Sequence, residues 1–194
     1  MTDEHAAADV AHLPGRTEAG GIADWAAARR ADGEFEARPM PRSVAEGASV
    51  ELREVTGETV REICALQVSP DQRHFVAPNA VSLAEASFAP HAWPRAIYAD
   101  GVPVGFAMLS IEEAEREYFL WRLMIADGFQ GRGYGRAAIA LLADHVRGLP
   151  GATQLVTSWV PGPGSPEAFY LGLGFEPTGE VDDGEVVGRL RLVD

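Results

Sequence analysis

Seven residues constrain this chain more than any others: Gln130-Gly131-Arg132-Gly133-Tyr134-Gly135-Arg136. An apolar run, Tyr118 to Ala126, leads into them, and a helix-like run, Arg136 to Arg147, leaves them. Alternating glycines between an apparent strand and an apparent helix describe an anion cradle. Glycine lets the backbone turn tightly and approach a ligand closely. The first amides of a helix have no partner inside it, and the helix dipole favours negative charge there. Arg132 and Arg136 add charge and hydrogen-bond donors. Spacing excludes two glycine-rich motifs. A P-loop needs Gly-Lys followed by Ser or Thr, and the chain contains no lysine. A dinucleotide fingerprint needs a glycine three positions after Gly133, where Arg136 stands. What remains is Q-x-x-G-x-G as a cradle, or a plain glycine-rich turn.

The rest of the chain reads as one α/β (α+β) domain, 48–194, behind an extension. Val50 to Val55 alternates apolar and polar residues as a half-buried strand does. Thr56 to Gln67 carries Val60, Ile63, Cys64 and Leu66 at helical spacing, and Pro70 ends it. Asn79 to Ser87 predicts a second helix, with Ser82 and Glu85 spaced as in a capping box. Pro94 to Ala99 and Val102 to Ile111 form a hairpin around Asp100-Gly101. Glu112 to Glu117 is a charged connection to the strand Tyr118 to Ala126. Beyond the cradle, the apolar stripe of Arg136 to Arg147 packs on a sheet. Gln154 to Val160 is another strand, and Ser165-Pro166-Glu167 opens a short helix holding Phe169 and Tyr170. Phe175 to Val181 and Glu185 to Val193 close the chain as a hairpin. The alternation predicts three layers, with a mixed central sheet and helices on both faces. Residues 1–47 show no strand pattern and read as a partly disordered extension. Within it, Ile22 to Ala31 is a short helix whose Trp25 docks on the domain.

Charge and composition narrow the function. A net charge of −13 argues against nucleic acid as partner and suits a cationic substrate, or solubility alone. No apolar run reaches the roughly 20 residues of a membrane span. Met1-Thr2-Asp3-Glu4 is acidic where a signal peptide is basic, so the expected location is cytoplasmic. Cys64 is the only cysteine and reads as core. His74 and His91 are too isolated to suggest a metal site.

Leu123-Met124-Ile125 before the cradle, and Phe169-Tyr170 with Gly174-Phe175 after it, complete a pattern. Together with Q-x-x-G-x-G it resembles the GNAT acetyltransferase family, from roughly Val50 to Leu192. The stretch Ser69 to Ala86 is more narrowly similar to bacterial spermine/spermidine-type acetyltransferases. The resemblance implies a GNAT-like fold and acetyl-CoA as co-substrate, with no metal. It implies that Gln130, Gly131, Arg132, Gly133, Tyr134, Gly135 and Arg136 hold the pyrophosphate. It also implies that Leu123, Met124 and Ile125 pair with the pantetheine arm where their strand leaves its neighbour, one amide polarising the acetyl carbonyl.

Tyr170 is the implied acid for the thiolate; read from the residues alone, it is an aromatic packed beside Phe169. Two departures stand out. Trp121 occupies the position where the polyamine enzymes carry a glutamate, so the base passes to Glu117, with Glu85, Glu112, Asp71 or a water relay open. Pro163 replaces an asparagine that contacts pantetheine, a role Ser165 can take. By resemblance, Gln72 to Phe75 and Trp93 border the acceptor pocket. The expected function is acetyl-CoA-dependent N-acetylation of a small-molecule amine, such as a polyamine, by direct transfer in a ternary complex. A protein N-terminus, an amino acid or an aminoglycoside stays open as acceptor. The rival is a degenerate CoA-binding sensor or partner module. Neither nucleic acid nor membrane is expected as partner, and a homodimer is left open.

Overall fold

Two Asp-Gly pairs set the hairpins at opposite ends of the sheet. Asp100 and Gly101 both take left-handed backbone, at φ 47° and 78°, between β2 (Ala92–Ala99) and β3 (Val102–Glu112). Asp183 and Gly184 do the same, at 45° and 84°, between β6 (Glu176–Asp182) and β7 (Glu185–Arg191). Consecutive left-handed residues match the twist of the flanking strands. The computed structural model describes residues 47–193. Residues 1–46, with the expected Ile22–Ala31 helix and Trp25, lie outside the described residues.

The sheet also contains β1 (Val50–Arg53), β4 (Glu117–Ile125) and β5 (Gln154–Trp159), in the order β1-β2-β3-β4-β5-β7-β6. Every pairing is antiparallel except β4 with β5. A parallel pair needs a crossover, and α3 (Tyr134–Arg147) supplies it. Val104, Phe106, Ala107, Met108 and Leu109 of β3 have no exposed surface, so both faces of the sheet are covered. On one face lie α1 (Val60–Ala65) and α2 (Asn79–Ala86): the buried Asn79 donates to the Ile63 carbonyl at 2.8 Å and reaches Met124 Sδ at 3.8 Å. The next residue on the strand, Ile125, points the other way, toward the start of α3. Ala138, Ile139, Leu142, Ala143 and Val146 form the buried stripe of α3. Each large aliphatic there contributes roughly 1.5–3 kcal/mol by burial. The expected three-layer mixed fold is the one observed.

Local differences have local causes. The first helix is shorter than Thr56 to Gln67, because Thr56 and Thr59 bond one another in a turn before it, Thr56 N donating to Thr59 Oγ1 at 2.9 Å. The capping box at Ser82 and Glu85 does not form. Pro78 precedes the helix, Ser82 is buried and donates back to the Pro78 carbonyl, and Glu85 pairs with Arg122. The last helix, α4 (Glu167–Leu171), starts one residue later than a serine N-cap implies: Pro166 is the N-cap, and Ser165 Oγ, just before it, accepts from the Glu167 amide at 3.2 Å. No helix among the described residues is long and apolar enough to cross a membrane.

Candidate active site

The two parallel strands part almost as soon as they meet. β4 and β5 pair only at Phe119 with Val156 and at Leu120 with Thr157. Just there the register with β3 slips: Met108 faces Arg122 but Leu109 faces Leu120, so Trp121 is an extra residue, a β-bulge. Beyond it β4 follows β3 to the Ile125–Gly105 pair, while β5 follows β7 to Trp159. A cleft of about 1010 Å³ runs from the gap to the start of α3. Leu123, Met124 and Ile125 line it, as do Gln130, Gly131, Gly133, Tyr134, Gly135, Arg136, Ser165 and Tyr170.

At one end stands the glycine loop. Gly131 and Gly133 have φ of 74° and 83°, and a Cβ on either would meet nothing within 4 Å. Both therefore serve the turn and leave open space above it. Gly133 is the N-cap of α3, and the first amide bonded inside the helix is that of Ala137, to the Gly133 carbonyl at 3.0 Å. The amides of Tyr134, Gly135 and Arg136 stay outside the helix ladder, as an anion site needs. Gly135 serves another purpose. A Cβ there would lie 3.1 Å from the Phe169 ring, so its absence lets α4 approach α3. Tyr134 is buried, and its hydroxyl has no hydrogen-bond partner among the described residues. Gln130 uses its amide nitrogen internally, donating to the Ile125 carbonyl at 2.9 Å and to Gln72 Oε1 at 2.7 Å. Arg136 donates to the Gly172 carbonyl at 3.3 Å. Arg132 sits 5.9 Å from the Phe129 ring centre and does not line the cleft.

Toward the gap stands Tyr170. Its ring stacks on Trp159 at 5.5 Å and meets Phe169 and Phe175 edge-on, each at 5.3 Å. Trp159 fits there because β7 carries Gly188 at the diagonal position, opposite Thr157, where a Cβ would come within 2.4 Å of the indole. Burial pushes the Tyr170 phenol up to about 12, with Thr157 acting as a hydrogen-bond partner in the opposite direction and the charge of Glu185 adding to the rise. The phenol is therefore protonated at any physiological pH. Ser165 lines the cleft but donates its hydroxyl to the Val160 carbonyl at 2.7 Å.

The expected bases lie elsewhere. Glu117 is exposed at the start of β4, paired in register with Glu112, and neither lines the cleft; nor do Asp71 and Glu85. Glu85 instead binds Arg122 at 3.1 Å. Gln72, Arg73, His74 and Phe75 border the cleft, but Trp93 does not: it stacks on His145 of α3 at 4.1 Å. The half-buried Cys64 thiol is pushed up by burial, which makes it a poor nucleophile. Among the described residues no cluster of three or more His, Cys, Asp or Glu could hold a metal. Two acids that the sequence did not single out, Asp182 and Glu185, do line the cleft. Their Asp-Asp-Gly-Glu context carries only a turn signal, and nothing local shows that β7 inserts beside β5.

Comparison with known proteins identifies the family and the fold. Residues 66–175, more than half of the chain, match the model of the acetyltransferase (GNAT) family. A spermine/spermidine N(1)-acetyltransferase of Bacillus subtilis (strain 168) is 27% identical over 146 residues, covering 72% of this chain and 96% of its own. The crystal structure of an acetyltransferase from Thermus thermophilus superposes with a TM-score of 0.59 at 20% identity, over 76% of this chain and 99% of that one. Spermidine N-acetyltransferase from Vibrio cholerae, solved with CoA and spermine, gives 0.58 at 16% identity, over 74% and 95%. The family match spans the strand gap, the glycine loop and the Tyr170 helix together, and the chain belongs to the GNAT family of N-acetyltransferases.

Proposed function

We propose that the enzyme transfers acetyl from acetyl-CoA directly to a primary amine of a small molecule. The observation that carries this is the gap between β4 and β5, with the glycine loop at one end and Tyr170 beside it. The residues fit the co-substrate: open glycines, helix-start amides and the orphaned Tyr134 hydroxyl offer donors to phosphate oxygens. Leu123 to Ile125 present an unpaired strand edge to the pantetheine arm. The thioester supplies an acetyl group already activated for attack. A backbone amide of β4 stabilises the charge that develops on its carbonyl oxygen, and such donors are worth about 3–4 kcal/mol. Tyr170 gives its proton to the departing sulfur. A phenol near 12 is a weak acid beside a free thiol of roughly 8.5, but the same burial raises the thiol too and narrows the mismatch.

A polyamine is the first acceptor to test, given the named relatives and two carboxylates in the cleft. Free-thiol release from acetyl-CoA, measured with spermine, spermidine, an amino acid and a short peptide, tests this. The expected result is amine-dependent release that is fastest with the polyamines. Tight CoA binding without release for any amine would leave the sensor reading in its place.

A further inference from the structure

Among the described residues, Asp182 and Glu185 are the only carboxylates lining the cleft. Both belong to the β6–β7 hairpin, and β7 runs beside β5 past the point where β5 has left β4. Ser158 lies opposite Val187, so Glu185, two residues earlier, emerges on the same face of the sheet as Ser158. The Ser158 hydroxyl donates to Glu185 Oε2, which fixes that carboxylate at the mouth of the gap. The neighbouring Trp159 also lines the cleft, and its indole N–H is buried with no partner among the described residues. The charge of Glu185 is felt at Tyr170, where it adds to the effect of burial on the phenol. Across the gap the Arg122 guanidinium is matched by Glu85.

We propose that Asp182 and Glu185 form the subsite for the ammonium group of the acceptor, and that Glu185, oriented by Ser158, takes its proton. The inference rests on the acetyl-transfer reading above. The ammonium first loses a proton to Glu185. The neutral nitrogen then bonds to the acetyl carbon and the carbon–sulfur bond breaks. The sulfur takes the Tyr170 proton, the remaining excess proton on nitrogen returns to the Tyr170 oxygen, and Glu185 passes its proton to water. Glu185 thereby fills the role that the tryptophan at position 121 leaves empty.

The test is Glu185→Gln with spermine and acetyl-CoA, followed from about pH 6.5 to 10, because a lysine-like amine titrates near 10.4. The charged and titratable groups that share the cleft with Glu185 are Asp182 on β6, Tyr170 on α4, Arg122 on β4, Tyr134 and Arg136 on α3, and Arg73 and His74 before α2; Glu85 lies outside it, on Arg122. The expected loss of kcat/KM is roughly 100-fold at neutral pH. It shrinks steadily toward alkaline pH, where the amine sheds its own proton. Asp182→Asn should raise KM for spermine more than it lowers kcat, while CoA affinity by calorimetry stays unchanged in both. Should Glu185→Gln lose CoA binding through misfolding, Ser158→Ala carries the same pH comparison with a loss of about 10-fold. A wild-type rate in Glu185→Gln, or a loss equal at every pH, overturns the subsite while leaving acetyl transfer intact. No amine-dependent turnover in the wild-type enzyme overturns both.

Discussion

Replacing Tyr170 with phenylalanine is expected to lower kcat by ~100- to 10,000-fold, about 3–5 kcal/mol of barrier. The substitution keeps the ring that stacks on Trp159 and meets Phe169 and Phe175, so folding and CoA affinity should change little. The proton is needed as the carbon–sulfur bond breaks, so the loss falls on kcat far more than on KM. It should shrink with an artificial thioester of more acidic thiol, which leaves with less help. Tyr170 enters the reaction as a phenol, since burial holds it near 12, and it can take up a proton only after giving its own to the sulfur. Near wild-type kcat in Tyr170→Phe, measured where chemistry limits the rate, would reduce Tyr170 to a packing residue.

Gly133→Asp should weaken CoA binding by roughly 1,000-fold in calorimetry. An added Cβ meets nothing within 4 Å, so the side chain fits, and its carboxylate stands where phosphate is proposed to sit. Two like charges about 4 Å apart at an effective dielectric of 20 repel by about 4 kcal/mol. The left-handed backbone at φ 83° adds strain, but that strain is present with and without ligand and lowers stability rather than affinity. Gly128→Asp separates the two effects. Gly128 has the same backbone, at φ 82° with open space, yet does not line the cleft. It should lose comparable stability and keep CoA affinity. Equal affinity in wild-type and Gly133→Asp would remove the cradle from the site.

What the sequence showed depended on how local the cause was. The Asp-Gly turns, the start of α3 and the Ser165-Pro166-Glu167 helix entry each rest on a few adjacent residues; the turns formed where expected, while α3 begins at Tyr134, two residues before the expected Arg136, and Pro166 takes the N-cap place expected of Ser165. The capping spacing of Ser82 and Glu85 was equally local, but Pro78 had already set the helix start, and Arg122, distant in sequence, claimed the glutamate. The gap itself was not legible from residue patterns. It needs a parallel pairing across α3 and a bulge at Trp121, and nothing in the residues of β4, apolar but for Glu117 and Arg122, marks either. The same holds for Gly135, whose role is set by Phe169 on another helix, and for Glu185, placed by a strand that inserts out of sequence order. Tyr170 was found only through the resemblance; its neighbours Trp159 and Gly188 gave no signal until the sheet order joined them.

The most direct measurement is a crystal structure of the enzyme with CoA. The pantetheine arm should run between β4 and β5, with the pyrophosphate on the amides of Tyr134, Gly135 and Arg136. The sulfur should come within about 3.5 Å of the Tyr170 hydroxyl, hydrogen-bond reach. CoA bound outside the gap, or a sulfur directed away from Tyr170, would contradict the site as assigned.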